Sequence, residues 1–159
     1  MDTTTPTATP APALTTERKK LCHSIFVTAL EGGIGYWSRC SHYHWSKPGT
    51  GPESFEGRVD DLDGFYAIVH ADCDDADCTG SGECDEHGKH RIDAEVIDRG
   101  INRLANGEAT FGGKPINGEG RLYTLACALN GPKADEVDYD ASDADNIVQA
   151  GLFNDIVYG

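Results

Sequence analysis

Basic residues are scarce in this chain: 13 lysines and arginines stand against 27 aspartates and glutamates, a formal charge of −14 at pH 7. A surface so acidic is repelled by phosphate backbones and anionic membranes, so direct nucleic-acid or lipid binding is not expected. Long apolar runs are missing, and nothing approaches the roughly 18 residues needed to span a bilayer. The N-terminus has no basic n-region and no apolar h-region, which argues against a secretory signal, and no Asn-x-Ser/Thr sequon occurs. These absences predict a soluble, cytoplasmic protein. There the cysteines at 22, 40, 73, 78, 84 and 127 are expected to be reduced core thiols or metal ligands.

Catalytic signatures are absent as well. The chain has no P-loop and no G-x-S-x-G elbow. Gly32-Gly33-x-Gly35 follows a helical pattern rather than a strand, so it is not a dinucleotide fingerprint. Carboxylates are so plentiful that proximity in sequence selects none of them for acid–base work. Nothing argues for an enzyme.

What is present reads as one globular domain over 17–159 behind an arm at 1–16. That arm holds seven Thr, three Pro and three Ala, too little apolar surface to offset its ordering entropy, and is expected to be disordered. Leu21, Cys22, Ile25, Phe26, Ala29 and Leu30 form an apolar helical stripe, which Gly32-Gly33 should end in a left-handed turn. Arg18, Lys19 and Lys20 sit at the unfavourable end of that helix and need acidic partners or water. Tyr36–Trp45 reads as an aromatic strand, 47–53 as a loop, and Phe65–Ala71 as a central strand.

Asp93 can cap a helix bearing Val96, Ile97, Ile101, Leu104 and Ala105, with Gly100 marking a close packing contact and Asn106-Gly107 its end. Leu122, Leu125, Ala126 and Leu129 suggest a third helix or a strand, with Cys127, like Cys22, on an apolar face. Ser142 is the expected N-cap of a last helix, with Asp143 and Asp145 favouring its positive end and Ile147, Val148, Gly151 and Leu152 lining one side. Ile156-Val157-Tyr158 should dock as a short edge strand or pack on the core. The fold class is α/β or α+β: three to four helices on a small sheet.

The acidic loop 72–90 could hold a metal in two ways. Cys73, Cys78, Cys84, His87 and His90 supply thiolates and imidazoles for one structural zinc, at looser spacing than common zinc modules. Residues 75–86 also fit an EF-hand loop, with Asp75, Asp77, Thr79, the Ser81 carbonyl and Glu86 as calcium oxygens. An unliganded acidic loop is the alternative to both. Cys40-x-His42-x-His44 is a weaker metal candidate. Trp37, Arg39, Tyr43 and Trp45 would share one strand face, either a stacking pocket for a small molecule or nucleotide, or simply a face packed on a helix.

Two segments, TALEGGIGYWSRC and DADNIVQAGLFNDIVYG, resemble a family of small uncharacterised proteins of tailed bacteriophages, especially those of actinobacteria. The resemblance implies an accessory protein of the infected host's cytoplasm, and it carries over no activity. Acids cluster between Asp60 and Asp98, thirteen in all, and again between Asp135 and Asp145, six in eleven residues. The leading expectation is therefore a non-enzymatic acidic protein that binds a host protein with a basic surface, in one form a counter-defence mimic of DNA charge. A small-molecule binder on the aromatic strand and a metal-stabilised interaction module are the alternatives.

Overall fold

Thr15 Oγ1 accepts the Arg18 backbone N–H at 3.2 Å and opens α1, Thr16–Thr28. The computed structural model describes residues 13–49, 57–71, 88–116 and 120–158. Most of the expected arm and of the acidic loop lies outside the described residues. The basic first turn of α1 finds its acids: Arg18 Nε meets Asp98 at 2.7 Å, and Lys19 pairs with Asp63. Arg18 Nη1 also donates to the Leu129 carbonyl at 3.0 Å, tying α1 to the end of the third helix.

Gly32-Gly33 does not stop this helix in a left-handed turn. The chain widens into a π turn, Ala29–Gly33, and then tightens over Ile34–Tyr36, with Gly33 at φ −103°. The glycine is needed for approach instead: a Cβ on Gly33 would lie 2.6 Å from the Ala141 carbonyl oxygen.

Strand β1, Ser38–His44, follows, and β2, Ser46–Pro48, pairs antiparallel with β3, Arg58–Asp60. Lys47 and Pro48 are thus strand where a loop was expected, because Arg58–Asp60 supplies a ladder that sequence proximity did not reveal. Strand β4, Tyr66–Ala71, is central, flanked antiparallel by β1 and by β5, Lys89–Asp93. Ala67, Val69 and Ile92 turn their side chains into the core.

Asp93 caps α2, Ala94–Ala105, accepting from Val96 N–H at 3.1 Å. Gly107 takes the left-handed conformation after it (φ +70°). The hairpin of β6, Thr110–Phe111, and β7, Lys114–Pro115, precedes α3, Arg121–Leu129. Helix α4, Ala141–Phe153, starts two residues earlier than Ser142 would cap it: Asp140 is the cap, and Asp143 closes a reciprocal capping box. An aspartate one residue ahead of the helix competes better than a serine already inside it. Strand β8, Asp155–Ile156, then joins β6 in parallel as an edge, and shares only Ile156 with the segment expected to do so.

The result is a single small domain of four helices and three small sheets. Its core gathers Ile25, Phe26, Phe65, Ile97, Ile101 and Ile147. Arg99 and Arg103 of α2 donate to the carbonyls of Ala150 and Gly151, satisfying the C-terminal end of α4. Cys22 is a core thiol, its pKa pushed up to about 12 by burial. Cys127 is not: α3 turns Leu125, Ala126 and Leu129 inward, and the next position after Ala126 faces solvent. No described helix is long and apolar enough to cross a membrane.

Candidate functional site

The two end motifs meet in one polar cluster. Asp145, buried on α4, accepts the Trp37 indole N–H at 2.6 Å, the Gln149 amide at 2.9 Å and the Tyr36 hydroxyl at 2.8 Å. Gln149 accepts the backbone N–H groups of Val157 and Tyr158, and its amide donates to the Tyr158 carbonyl at 2.9 Å. The Trp37 and Tyr158 rings stack at 4.9 Å, 2° from parallel, and Phe153 stands edge-on to both. Tyr36 has one hydroxyl proton but two acceptors at 2.8 Å, Asp145 and the Tyr158 carbonyl. Burial raises the Asp145 pKa against the pull of its three donors, and a proton held there would satisfy both contacts. The Tyr36 phenol is pushed up to about 12 by burial and by Asp145. This is a clasp that closes the domain.

The aromatic pocket expected on β1 is not assembled. Trp37 precedes the strand and is 1% exposed, held in the clasp. A bulge between Cys40 and His42 then breaks the alternation, so Arg39 no longer shares a face with Tyr43 and Trp45. Tyr43 and Trp45 do touch, with centroids 4.9 Å apart, and Tyr43 is 60% exposed. Cys40 and His42 are exposed, while His44 donates to Asp61.

Of the zinc candidates only His90 is described; it packs edge-on against Phe153 at 4.9 Å, and burial lowers its pKa. Cys73, Cys78, Cys84 and His87, and the calcium candidates Asp75, Asp77, Thr79, Ser81 and Glu86, lie outside the described residues. Among the described residues no three His, Cys, Asp or Glu side chains are placed to hold a metal ion.

Most described acids serve the fold. Asp143 is buried against Arg121 at 2.6 Å, Asp145 holds the clasp, and Asp93 and Asp140 cap helices. Asp61 accepts from His44 at 2.8 Å and from Gly64 N–H at 3.0 Å, and these donors, His44 foremost, hold its carboxyl below the ordinary range. A depressed carboxylate stabilises the fold above the unfolded value of about 3.9, and that contribution fades as pH falls through the lower folded value. Asp61→Asn should cost about 1 kcal/mol at neutral pH, and the deficit should narrow near about pH 3 in chemical denaturation.

Four acids of the second block, Asp135, Glu136, Asp138 and the cap Asp140, stay exposed. Of these only Asp135 lines an open groove of about 590 Å³ between the first turns of α1 and the chain from Leu129 to Tyr139. Leu21, Leu129 and Val137 give it apolar walls, and the charged lining is mixed: Glu17 and Asp135 with Arg18 and Lys20. Ser24 Oγ meets the Tyr139 hydroxyl at 2.5 Å across one end. Sequence reasoning missed the groove because its two walls are more than a hundred residues apart. It missed the clasp too, although Asp145 and Gln149, four apart on one helix, were a usable signal. Compared with known proteins, the chain matches no family profile, no curated protein and no solved structure.

Proposed function

We propose that this chain is a non-enzymatic accessory protein that binds a partner protein through a basic, partly apolar segment seated in the α1 groove. The supporting observation is the pairing of apolar walls at Leu21, Leu129 and Val137 with the exposed carboxylate Asp135 in the lining, Glu136 and Asp138 being exposed on the same segment. The walls offer burial, and the carboxylates offer steering and register. With the phage resemblance, the partner is a host protein with a basic surface, met in the host cytoplasm. Counter-defence by imitation of DNA charge is one form of this reading.

The test is affinity capture from host lysate at about 50 mM and about 500 mM salt, where screening lengths differ severalfold. A partner retained at low salt, released at high salt and lost with Asp135→Lys/Asp138→Lys at unchanged melting temperature is the expected result. Retention that ignores both salt and the double substitution contradicts it.

A further inference from the structure

Gln149 fixes the count of hydrogens around Asp145. Its Oε1 accepts two backbone N–H groups, Val157 at 2.9 Å and Tyr158 at 2.8 Å, so the amide cannot be turned the other way. Both Nε2 hydrogens are then spent, on Asp145 Oδ2 and on the Tyr158 carbonyl, each at 2.9 Å. Asp145 Oδ1 takes the Trp37 indole hydrogen at 2.6 Å. What remains is a chain of three oxygens, Asp145 Oδ2, Tyr36 Oη and the Tyr158 carbonyl, with 2.8 Å at each link.

Two links need two hydrogens, and Tyr36 brings one. The Tyr158 carbonyl has none to give, and Gln149 has none left. With Asp145 ionised, one link would set two bare oxygens face to face at 2.8 Å. A proton on Asp145 Oδ2 completes the chain: the carboxyl donates to Tyr36, and Tyr36 donates to Tyr158. Asp145 is 2% exposed, so bulk solvent is not there to stabilise the charged alternative.

We infer that Asp145 is a neutral carboxylic acid in the closed chain, and that its proton latches Val157 and Tyr158, which loosen as pH rises. On ionisation the Tyr36 hydroxyl turns to the carboxylate, the stronger acceptor. The Tyr158 carbonyl then faces a bare phenol oxygen and moves off. The released unit is short, since β8 stays paired with β6 through Asp155 and Ile156. The Trp37 indole keeps its bond in both states, because it uses the other carboxyl oxygen.

The charged groups of the surrounding elements are engaged elsewhere or face water. The cations of α1 pair with Glu17, Asp63 and Asp98, and Glu31 of the π turn is exposed. Asp143, on the same helix, is turned to Arg121, and Asp155 of β8 accepts from Thr110 and Gly113. From α2, Arg99 and Arg103 reach the carbonyls of Ala150 and Gly151, and from β5, His90 packs on Phe153. Burial raises the Asp145 pKa, and its donors Trp37, Tyr36 and Gln149 lower it. A raised value means that the closed chain holds the proton more tightly than the open one. Closure is therefore favoured at low pH and fades as pH rises through the folded value.

The test is carbon-13 NMR of the Asp145 carboxyl in the full chain, with amide exchange of Val157 and Tyr158, from about pH 3 to about pH 8. The carboxyl should titrate above the ordinary value of about 3.9. Opening at the two amides, corrected for intrinsic exchange, should rise by up to about tenfold per pH unit between that value and the Asp145 midpoint, then level off. Asp145→Asn, which carries a permanent donor, should abolish the rise. Should that variant prove unstable, Tyr36→Phe carries the test from a side chain 57% exposed: Asp145 should still titrate, with the two amides uncoupled from it. A carboxyl that titrates at or below about 3.9, amides that ignore the Asp145 midpoint, or a rise that persists in either variant overturns the inference.

Discussion

Replacing Gly100 by alanine should lower the melting temperature by roughly 10 °C. A Cβ at Gly100 would sit 2.0 Å from the Ile147 carbonyl oxygen, and one at Gly151 would sit 2.1 Å from the Val96 carbonyl oxygen. The two contacts are reciprocal, so α2 and α4 touch backbone to backbone through a glycine on each. Neither obstacle is the movable end of a side chain. To restore an ordinary contact the helices must separate by more than 1 Å, by the difference between these distances and normal van der Waals spacing.

That separation would loosen Ile97, Ile101, Ile147 and Val148, all fully buried. It would also pull Arg99 and Arg103 from the carbonyls of Ala150 and Gly151. Overpacking usually costs about 1–3 kcal/mol and occasionally more; here both backbones resist, so about 3 kcal/mol or more is expected. In a domain of this length that lowers the melting temperature by roughly 10 °C. Gly35→Ala is the control: nothing lies within 4 Å of the added Cβ, and its effect should stay within about 0.5 kcal/mol.

Asp145→Ala should be of similar severity for a different reason. The Trp37 indole N–H, the Gln149 amide and the Tyr36 hydroxyl all point at this carboxylate, and the Trp37 donor is sealed from water. Stranding one buried donor costs about 1–3 kcal/mol, so the loss of all three contacts is expected to total about 3 kcal/mol. Asp145→Asn should cost only about 1 kcal/mol. Its oxygen still accepts from Trp37 and its amide can donate to Tyr36, leaving only the Gln149 contact opposed. The pH dependence has the opposite sign to that of Asp61. Burial raises the Asp145 pKa, so its charged form opposes folding at neutral pH, and the penalty eases as pH falls toward the folded value. Chemical denaturation of the wild type and both variants across the acid range reads this directly.

The difference between these two sites shows what was legible in the sequence. Gly100 interrupts a strongly periodic helix, and periodicity alone marks such a glycine as a packing contact. Its partner Gly151 read only as one more small residue on an apolar face. Phe65–Ala71 declared itself a central strand because both its neighbours bury it. Asp145 was hidden by its type: next to Asp143 it read as a charge favouring the helix dipole. Pattern reports which face is buried, but not which distant indole waits there for a carboxylate.

β1 failed in a related way. The alternation that put Trp37, Arg39, Tyr43 and Trp45 on one side assumed an unbroken pleat, and one bulge at Ser41 redistributed them. The same bulge brings His42 and His70 to a shared hydroxyl.

The central claim is that TALEGGIGYW and DADNIVQAGLFNDIVYG close one domain through the Trp37–Asp145–Gln149–Tyr158 clasp. Indole N–H exchange tests it most directly, because the chain has two tryptophans in unlike settings. The clasp predicts that the Trp37 indole proton exchanges only on global unfolding, while the Trp45 proton exchanges through local fluctuations. In Asp145→Ala the slow signal should be lost while the fast one remains. Two indole protons that exchange equally fast in the wild type would contradict the account.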